Sequence, residues 1–180
     1  MDDTDSTKIA WVQAALRQYE GPLIRYAAQI TGDLDRARDV VQDTFVRLCA
    51  EEPGAVEGHL PQWLFTVCRN RALDVQRKES RMVVLNETEM EICESREPSP
   101  AAAAEQQENL SSVLRLLSTL PPNQREVIRL KFQSGLSYQE ISRVTNLTVS
   151  NVGFLIHTAI KTLRHRLQSE ARTETNISSV

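Results

Sequence analysis

The side chains best suited to catalysis or metal binding do not assemble into a site in this sequence. Its three histidines show neither metal-ligand spacing nor a nucleophile beside a base. Its three cysteines are odd in number and too widely spaced for a disulfide framework or a CxxC metal pair, so we interpret them as reduced thiols. The sequence therefore predicts no enzyme, no catalytic or metal site, no cofactor and no small-molecule substrate. The residues concerned are His59, His157, His165, Cys49, Cys68 and Cys93.

A line of side chains between residues 63 and 81 suggests nucleic-acid binding instead. Their spacing places one aromatic ring, one amide, one carboxylate and two cations in a narrow sector of a helix. Such a line suits a single strand, because bases stack on aromatic rings and cations follow phosphates. An ordinary structural role is equally open, with the ring in the core and the carboxylate paired to a neighbouring cation. The line consists of Trp63, Asn70, Asp74, Arg77 and Arg81.

A helix-turn-helix is predicted from Leu136 to about Leu167. A short helix from Ser137 to Thr145 is followed by a turn at Asn146, a residue that tolerates left-handed backbone, and Thr148 caps a long final helix. An apolar stripe on that helix packs inward and leaves a face for the major groove. A helical hairpin with a solvated basic side is the alternative. The outward residues are Ser150, Phe154, His157, Lys161 and Arg164.

Composition indicates that helices position these residues. Aromatic residues are scarce in the 180-residue chain, and good helix formers dominate. We predict an all-α fold with two small helical domains: residues 1–81, an acidic flexible linker at 82–108, a second domain at 109–168, and a polar tail at 169–180. The net charge of -3 is unevenly distributed, because two basic ends flank the acidic middle. The N-terminus lacks a signal sequence and no span is apolar enough for a membrane, so a cytoplasmic protein without membrane insertion is expected.

Four helices are predicted in the first domain. Gly21-Pro22 should end the first helix and Gly32 the second, while Asp33 should cap the third. A polar loop with Gly58 and His59 then precedes a fourth helix, from near Pro61 to about Arg81. In the second domain, one helix before Pro121-Pro122 and one after it precede the helix-turn-helix.

Three motifs resemble a known family, the extracytoplasmic-function (ECF) group of sigma-70 factors, from about Tyr19 to Leu167. Asp39 to Leu48 (DVVQDTFVRL) resembles sigma region 2.2, and Leu60 to Arg77 (LPQWLFTVCRNRALDVQR) resembles regions 2.3 and 2.4. Leu120 to Val127 (LPPNQREV) together with Gly135 to Ile141 (GLSYQEI) resembles region 4. Their order and spacing are more specific than any one motif alone.

The resemblance implies a transcription initiation factor that binds core RNA polymerase and promoter DNA. The third helix would dock on the β′ clamp, although a solvated face remains the alternative, and the β flap and an anti-sigma factor would be further partners. The loop at 53–60 and the helix after it would capture the melted -10 strand, and the final helix would read the -35 duplex. The implied polymerase-binding residues are Asp39, Gln42, Asp43 and Arg47; the -10 residues are Trp63, Arg69, Asn70, Arg77 and Arg81; the -35 residues are Ser150, Asn151, Phe154, His157, Lys161 and Arg164.

The start of the final helix departs from the family pattern. Family members commonly have basic or small polar residues there, whereas this chain has Gly153, Phe154 and Leu155. An outward Phe154 could contact a thymine methyl group, and a close approach to DNA backbone could offset the helix propensity lost at Gly153. The -35 preference is therefore this chain's own. A free-standing helix-turn-helix regulator acting as a dimer is the alternative function.

Overall fold

The structure, a computed structural model, describes residues 3–85 and 115–177, with side chains given for residues 6–79, 81 and 115–169. The N-terminal domain contains α1 (Asp3–Thr31), α2 (Leu34–Ala50), the short α3 (Pro53–Val56) with a 3-10 turn (Glu57–His59), and α4 (Leu60–Leu85). The C-terminal domain contains a helical turn at 115–118, then α5 (Pro122–Phe132), α6 (Tyr138–Thr145) and α7 (Val149–Ile177). The described ranges hold no strand, and the predicted all-α fold is confirmed.

The helix break predicted at Gly21-Pro22 is wrong, because α1 continues through Pro22 as a single helix. An interior proline removes one backbone hydrogen bond and costs about 3 kcal/mol. Tertiary packing offsets this cost: Ala15 precedes the proline, Leu23 and Tyr26 follow it, and all three are buried in the same core. The helix does end beside Gly32, which has a φ of 73°.

Three boundaries along α2 to α4 were predicted with different success. The predicted N-cap of α2 is confirmed, because the Asp33 carboxylate accepts a hydrogen bond from the Arg36 amide at 2.8 Å. The loop predicted before the fourth helix is instead mostly helical, as α3 and the 3-10 turn, and α4 follows without a gap. That helix extends past Arg81 to Leu85; the rest of the predicted linker, and the predicted helix up to residue 114, lie outside the described residues.

Local hydrogen bonds define the helix-turn-helix. Ser137 and Glu140 form a reciprocal capping box at the start of α6, which satisfies two amides that lack helical partners. Asn146 ends α6 in the left-handed conformation, at φ 58° and ψ 32°, as predicted. The Thr148 hydroxyl then accepts a hydrogen bond from the Asn151 amide at 3.2 Å, and α7 continues to Ile177, beyond its predicted end near Gln168.

The two domains lie against each other, with α4 touching α6. Buried apolar side chains of both domains belong to one cluster, from Ala15 in α1 to Ala159 in α7. Within the described ranges, no helix is long and apolar enough to cross a membrane.

Candidate polymerase and nucleic-acid interfaces

The outer face of α7 is exposed along several turns. Val152, Ile156 and Ala159 are buried against α5 and α6, so the helix has a fixed inner side. All six residues predicted to read duplex DNA lie on the solvent side, and Phe154 is 66% exposed. The exposed set is Ser150, Asn151, Phe154, His157, Lys161 and Arg164.

Gly153 lies under an aromatic ring of the preceding helix. A methyl group added there would meet ring carbon Cε2 of Tyr138 at 3.6 Å, an ordinary van der Waals contact. Lys131, on α5, places its ammonium group 5.5 Å from the centre of the same Tyr138 ring. The fold therefore has room for a methyl group at Gly153, and packing does not require a glycine there.

The line of side chains on α4 is exposed at its C-terminal end and half-buried at its start. Asn70, Arg77 and Arg81 are exposed, whereas the Trp63 ring packs partly against the core. Asp74 Oδ1 lies 3.5 Å from Arg77 Nη2, one of the two pairings expected if its role is structural. The part available to a nucleic-acid strand therefore runs from Asn70 to Arg81.

Arg69 lies apart from that line, in contact with the C-terminal domain. Its Nε donates to Glu126 Oε1 at 2.8 Å and its Nη2 to Oε2 at 3.3 Å. The Tyr26 hydroxyl donates to the same carboxylate at 2.7 Å. Burial and the negative Glu126 raise the pKa of Tyr26 well above its ordinary value, and the hydrogen bond to Glu126 raises the pKa of Arg69.

Sequence reasoning missed Glu126. It belongs to the LPPNQREV motif, where it was attributed to the family pattern without a partner. Its partners lie 57 and 100 residues earlier in the chain, so no local spacing or periodicity connects them.

The outer side of α2 carries the predicted polymerase-binding residues. Asp39, Gln42 and Arg47 are exposed, and at about 100° per residue Gln42 and Arg47 lie on either side of Asp39 around the outer half of the helix. Asp43 is half-buried, and its Oδ2 accepts a hydrogen bond from Arg71 Nε on α4 at 2.8 Å. Three of the four predicted residues are therefore exposed for contact with a partner, whereas Asp43 links α2 to α4 through its hydrogen bond.

An apolar groove between α1 and α2 adjoins this face. Leu16 and Val46 are exposed on its two sides, and Phe45 forms part of its floor. The exposed Cys49 also lines the groove. A partner docking on α2 would thus meet charged, amide and apolar groups side by side.

The remaining residues considered for chemistry are dispersed. Cys68 is fully buried, and burial raises the pKa of its thiol to about 12. Cys93 lies outside the described residues. Among the side chains that the structure gives, no three His, Cys, Asp or Glu residues come together as metal ligands.

Two family profiles match the chain. The profile described as Sigma-70 region 2 matches residues 15–82, and the profile described as Sigma-70, region 4 matches residues 110–163. The first covers most of the N-terminal domain, and the second covers the helix-turn-helix together with the helix before it.

Curated relatives are similar over most of the chain. The ECF RNA polymerase sigma factor EcfG of Rhodopseudomonas palustris (strain TIE-1) is 31% identical over 131 residues, covering 71% of this chain and 68% of the relative. The ECF RNA polymerase sigma factor SigM of Bacillus subtilis (strain 168) is 28% identical over 149 residues, covering 82% and 90%.

A solved structure is similar in fold across both domains. It is the sigma factor RpoE in complex with the anti-sigma factor NepR from Bartonella quintana. The TM-score is 0.68 at 25% sequence identity, and the match covers 87% of this chain and 96% of that one.

Proposed function

Because the chain belongs to the ECF group of sigma-70 factors, which bind core RNA polymerase and direct promoter-specific initiation, we propose that α7 reads the -35 duplex and α4 captures the -10 strand. The observation that carries this assignment is the continuous exposed face of α7 above a buried apolar stripe. A helix held in this way can enter a major groove without unfolding its own domain.

On α7, the two cations and the Phe154 ring have different roles. Lys161 and Arg164 contact phosphates and set the register, because phosphate contacts position a protein without reading sequence. Phe154 supplies an apolar contact suited to a thymine methyl group. The -35 site of this chain should therefore contain a thymine opposite Phe154.

On α4, Asn70, Arg77 and Arg81 receive the separated strand, and the half-buried Trp63 is available for stacking with a base. Opening the duplex requires no catalytic group, because the cost of extruding a base is recovered in contacts with the freed strand. We accordingly assign the protein no enzymatic step, and we assign its action to the cytoplasm, where core polymerase and promoters are present.

The α2 face is assigned to the β′ clamp. Asp39, Gln42 and Arg47 offer charge and hydrogen bonding to a coiled coil, and Val46 beside them adds apolar contact. We assign the β flap to the C-terminal domain, and the domain boundaries at 81, 108 and 168 are part of the same proposal. The solved relative bound to an anti-sigma factor supports a similar antagonist for this chain.

The direct test is reconstituted transcription with core polymerase and a library of genomic promoter fragments. Addition of the chain should give specific starts whose upstream sequences align into two elements. A stable homodimer that protects a palindrome without polymerase, and no complex with core enzyme, would contradict the proposal in favour of a free-standing regulator.

A double substitution, Asp39→Ala with Arg47→Ala, tests the clamp contact. Loss of 1 to 2 kcal/mol of binding corresponds to roughly five- to thirty-fold weaker association with core enzyme. The control double variant is Arg17→Ala with Glu57→Ala, because both side chains are exposed, lie outside α2 and together carry one positive and one negative charge. Equal affinity of the two double variants would remove α2 from the interface.

A further inference from the structure

A half-enclosed cleft lies where α5 faces α1 and α4. Gln29 of α1 and Leu73 of α4 line one side of it, and Asn123 and Arg129 of α5 line the other. Its volume is about 250 Å³. Pockets that enclose drug-sized ligands have roughly 300 to 1,000 Å³. The cleft is thus suited to one compact chemical group rather than to a whole large molecule.

Arg129 places a charge in this cleft that the described part of the chain does not neutralise. The residue is only 9% exposed, and among the described residues its guanidinium has no ion-pair partner and no hydrogen-bond acceptor. Arginine does not become neutral by losing a proton, so the charge is permanent. A buried charge without a partner is costly, and an anion in the cleft would remove that cost.

Arg125 adds a second positive charge beside Arg129. Its guanidinium donates to the backbone carbonyls of Leu117 at 3.1 Å and of Leu120 at 2.9 Å, and these acceptors carry no net charge. Burial lowers the pKa of Arg129, and the positive charge of Arg125 lowers it further. The two cations therefore repel each other, and a shared anion would offset that repulsion.

Among the described residues that line the cleft, the one carboxylate already has a cation of its own. Glu126 accepts two hydrogen bonds from Arg69, and the Tyr26 hydroxyl donates to it as well. Three arginines and this glutamate leave the lining with two net positive charges. The start of α5 also lines the cleft, at Pro122 and Asn123, and the N-terminus of a helix attracts anions.

A phosphate group meets these requirements. Its oxygens match the planar fork of an arginine, and its negative charge suits two neighbouring cations. A terminal phosphate presents a free end, whereas a phosphate inside a nucleic-acid strand has a sugar on each side. The burial of Arg129 therefore favours a terminal phosphate, with the rest of the molecule outside the cleft.

We propose that this cleft binds the terminal phosphate of a small phosphorylated compound, with Arg129 as the main contact. Asn123 and the start of α5 bind further phosphate oxygens, and Gln29 lies on the opposite side of the site. Because a ligand that binds only the folded chain stabilises it, bound phosphate also raises the free energy of unfolding. This binding requires neither promoter DNA nor polymerase, so it is independent of the proposed function.

Calorimetric titration of the full-length chain, in phosphate-free buffer at constant ionic strength, measures this binding. The probes are inorganic phosphate, pyrophosphate and ADP, added without DNA or polymerase. Pyrophosphate and ADP should bind saturably at a single site per chain. Tighter binding of ADP than of pyrophosphate assigns the site to nucleotides, and equal or weaker binding assigns it to compact phosphates. No saturable binding of any probe would overturn the proposal.

Arg129→Gln removes the charge and keeps a polar side chain. Because hydrogen bonds to charged groups are strong, this variant should bind pyrophosphate roughly ten- to one-hundred-fold more weakly. Arg17→Gln, the same substitution at an exposed position of α1, is the matched control and should bind like the unmodified chain. Equal affinity of these two variants would exclude Arg129 as the phosphate contact.

Gln29→Glu tests the cleft without altering α5. Gln29 is exposed, so the glutamate should leave the fold intact while its charge weakens pyrophosphate binding about five-fold. Gln13→Glu, at another exposed glutamine of α1, is the control. Circular dichroism checks the folding of every variant, and the two Gln→Glu variants decide if Arg129→Gln does not fold. Equal affinities of these two variants would place the bound phosphate outside the cleft.

A competition experiment distinguishes a terminal phosphate from the phosphates of a nucleic-acid backbone. Two short oligothymidylates, identical except that one ends in a phosphate, are added to the chain with pyrophosphate bound. The one that ends in a phosphate should displace pyrophosphate more effectively. Equal displacement by both would identify backbone phosphates as the ligand and overturn the assignment to a small phosphorylated compound.

Discussion

Removing two cations from α7 should change the salt dependence of -35 binding by a calculable amount. Lys161 and Arg164 are exposed on the outer face, and neither forms an ion pair within the part of the chain that the structure describes. Their replacement by alanine should therefore leave the fold intact. Each phosphate contact contributes about -0.9 to the slope of log K against log salt, so the double variant should lose about 1.8 of slope.

This change in slope translates into a measurable difference in affinity. Between about 50 and about 200 mM salt, one contact accounts for roughly a 3.5-fold loss of affinity, and two contacts account for roughly 12-fold. The double variant should thus be weaker at low salt and approach the unmodified protein as salt rises. Titration of a labelled -35 duplex with the holoenzyme at four salt concentrations gives both slopes.

The matched control is Arg17→Ala with Arg25→Ala, which removes the same charge from two exposed positions of α1. Because total charge changes equally, a long-range effect of net charge would alter both double variants alike. Equal slopes for the Lys161 and Arg164 double variant and the unmodified protein would refute the placement of α7 on the -35 backbone.

Three further predictions concern the fold around these faces. Gly153→Ala should raise the free energy of unfolding by up to about 1 kcal/mol, because the methyl group fits and helix propensity improves; denaturant titration checks this, and a lower stability would contradict it. Ser137→Ala should lower the free energy of unfolding by about 1 kcal/mol, because it removes the capping box. Ser150→Ala, on the exposed start of α7, is the control for a lost hydroxyl, and equal stabilities of the two variants would refute the cap. Burial raises the pKa of Cys68 to about 12, whereas the thiol ionises near pH 9 in the unfolded chain, so the free energy of unfolding should fall as pH rises between these values. Cys68→Ala should flatten that fall in denaturant titrations at alkaline pH, and an unchanged pH dependence would contradict the effect of burial.

The helix-turn-helix could be predicted from sequence because its determinants are local. Asn146 occupies the left-handed turn and Thr148 caps the following helix, and each effect acts within three residues. The outward position of Phe154 follows from periodicity relative to the buried stripe. Each of these expectations agrees with the structure, because no distant contact opposes it.

The break at Pro22 was predicted wrongly for the converse reason. Local chemistry favours ending the helix there, but Leu23 and Tyr26 must remain in register with Ala15 to fill one core. That requirement comes from α2 and α4, which both pack against α1. Helix propensity predicts a break poorly where the burial of several side chains requires one continuous helix.

The Glu126 contact was beyond sequence reasoning because it depends on how helices that are distant in sequence pack against each other. A glutamate near the start of a helix is ordinarily explained by the positive end of the helix dipole. Only the spatial approach of Arg69 and Tyr26 gives it another role. Arg69 itself lies about 100° around α4 from Asn70, so helical periodicity alone places it outside the exposed line.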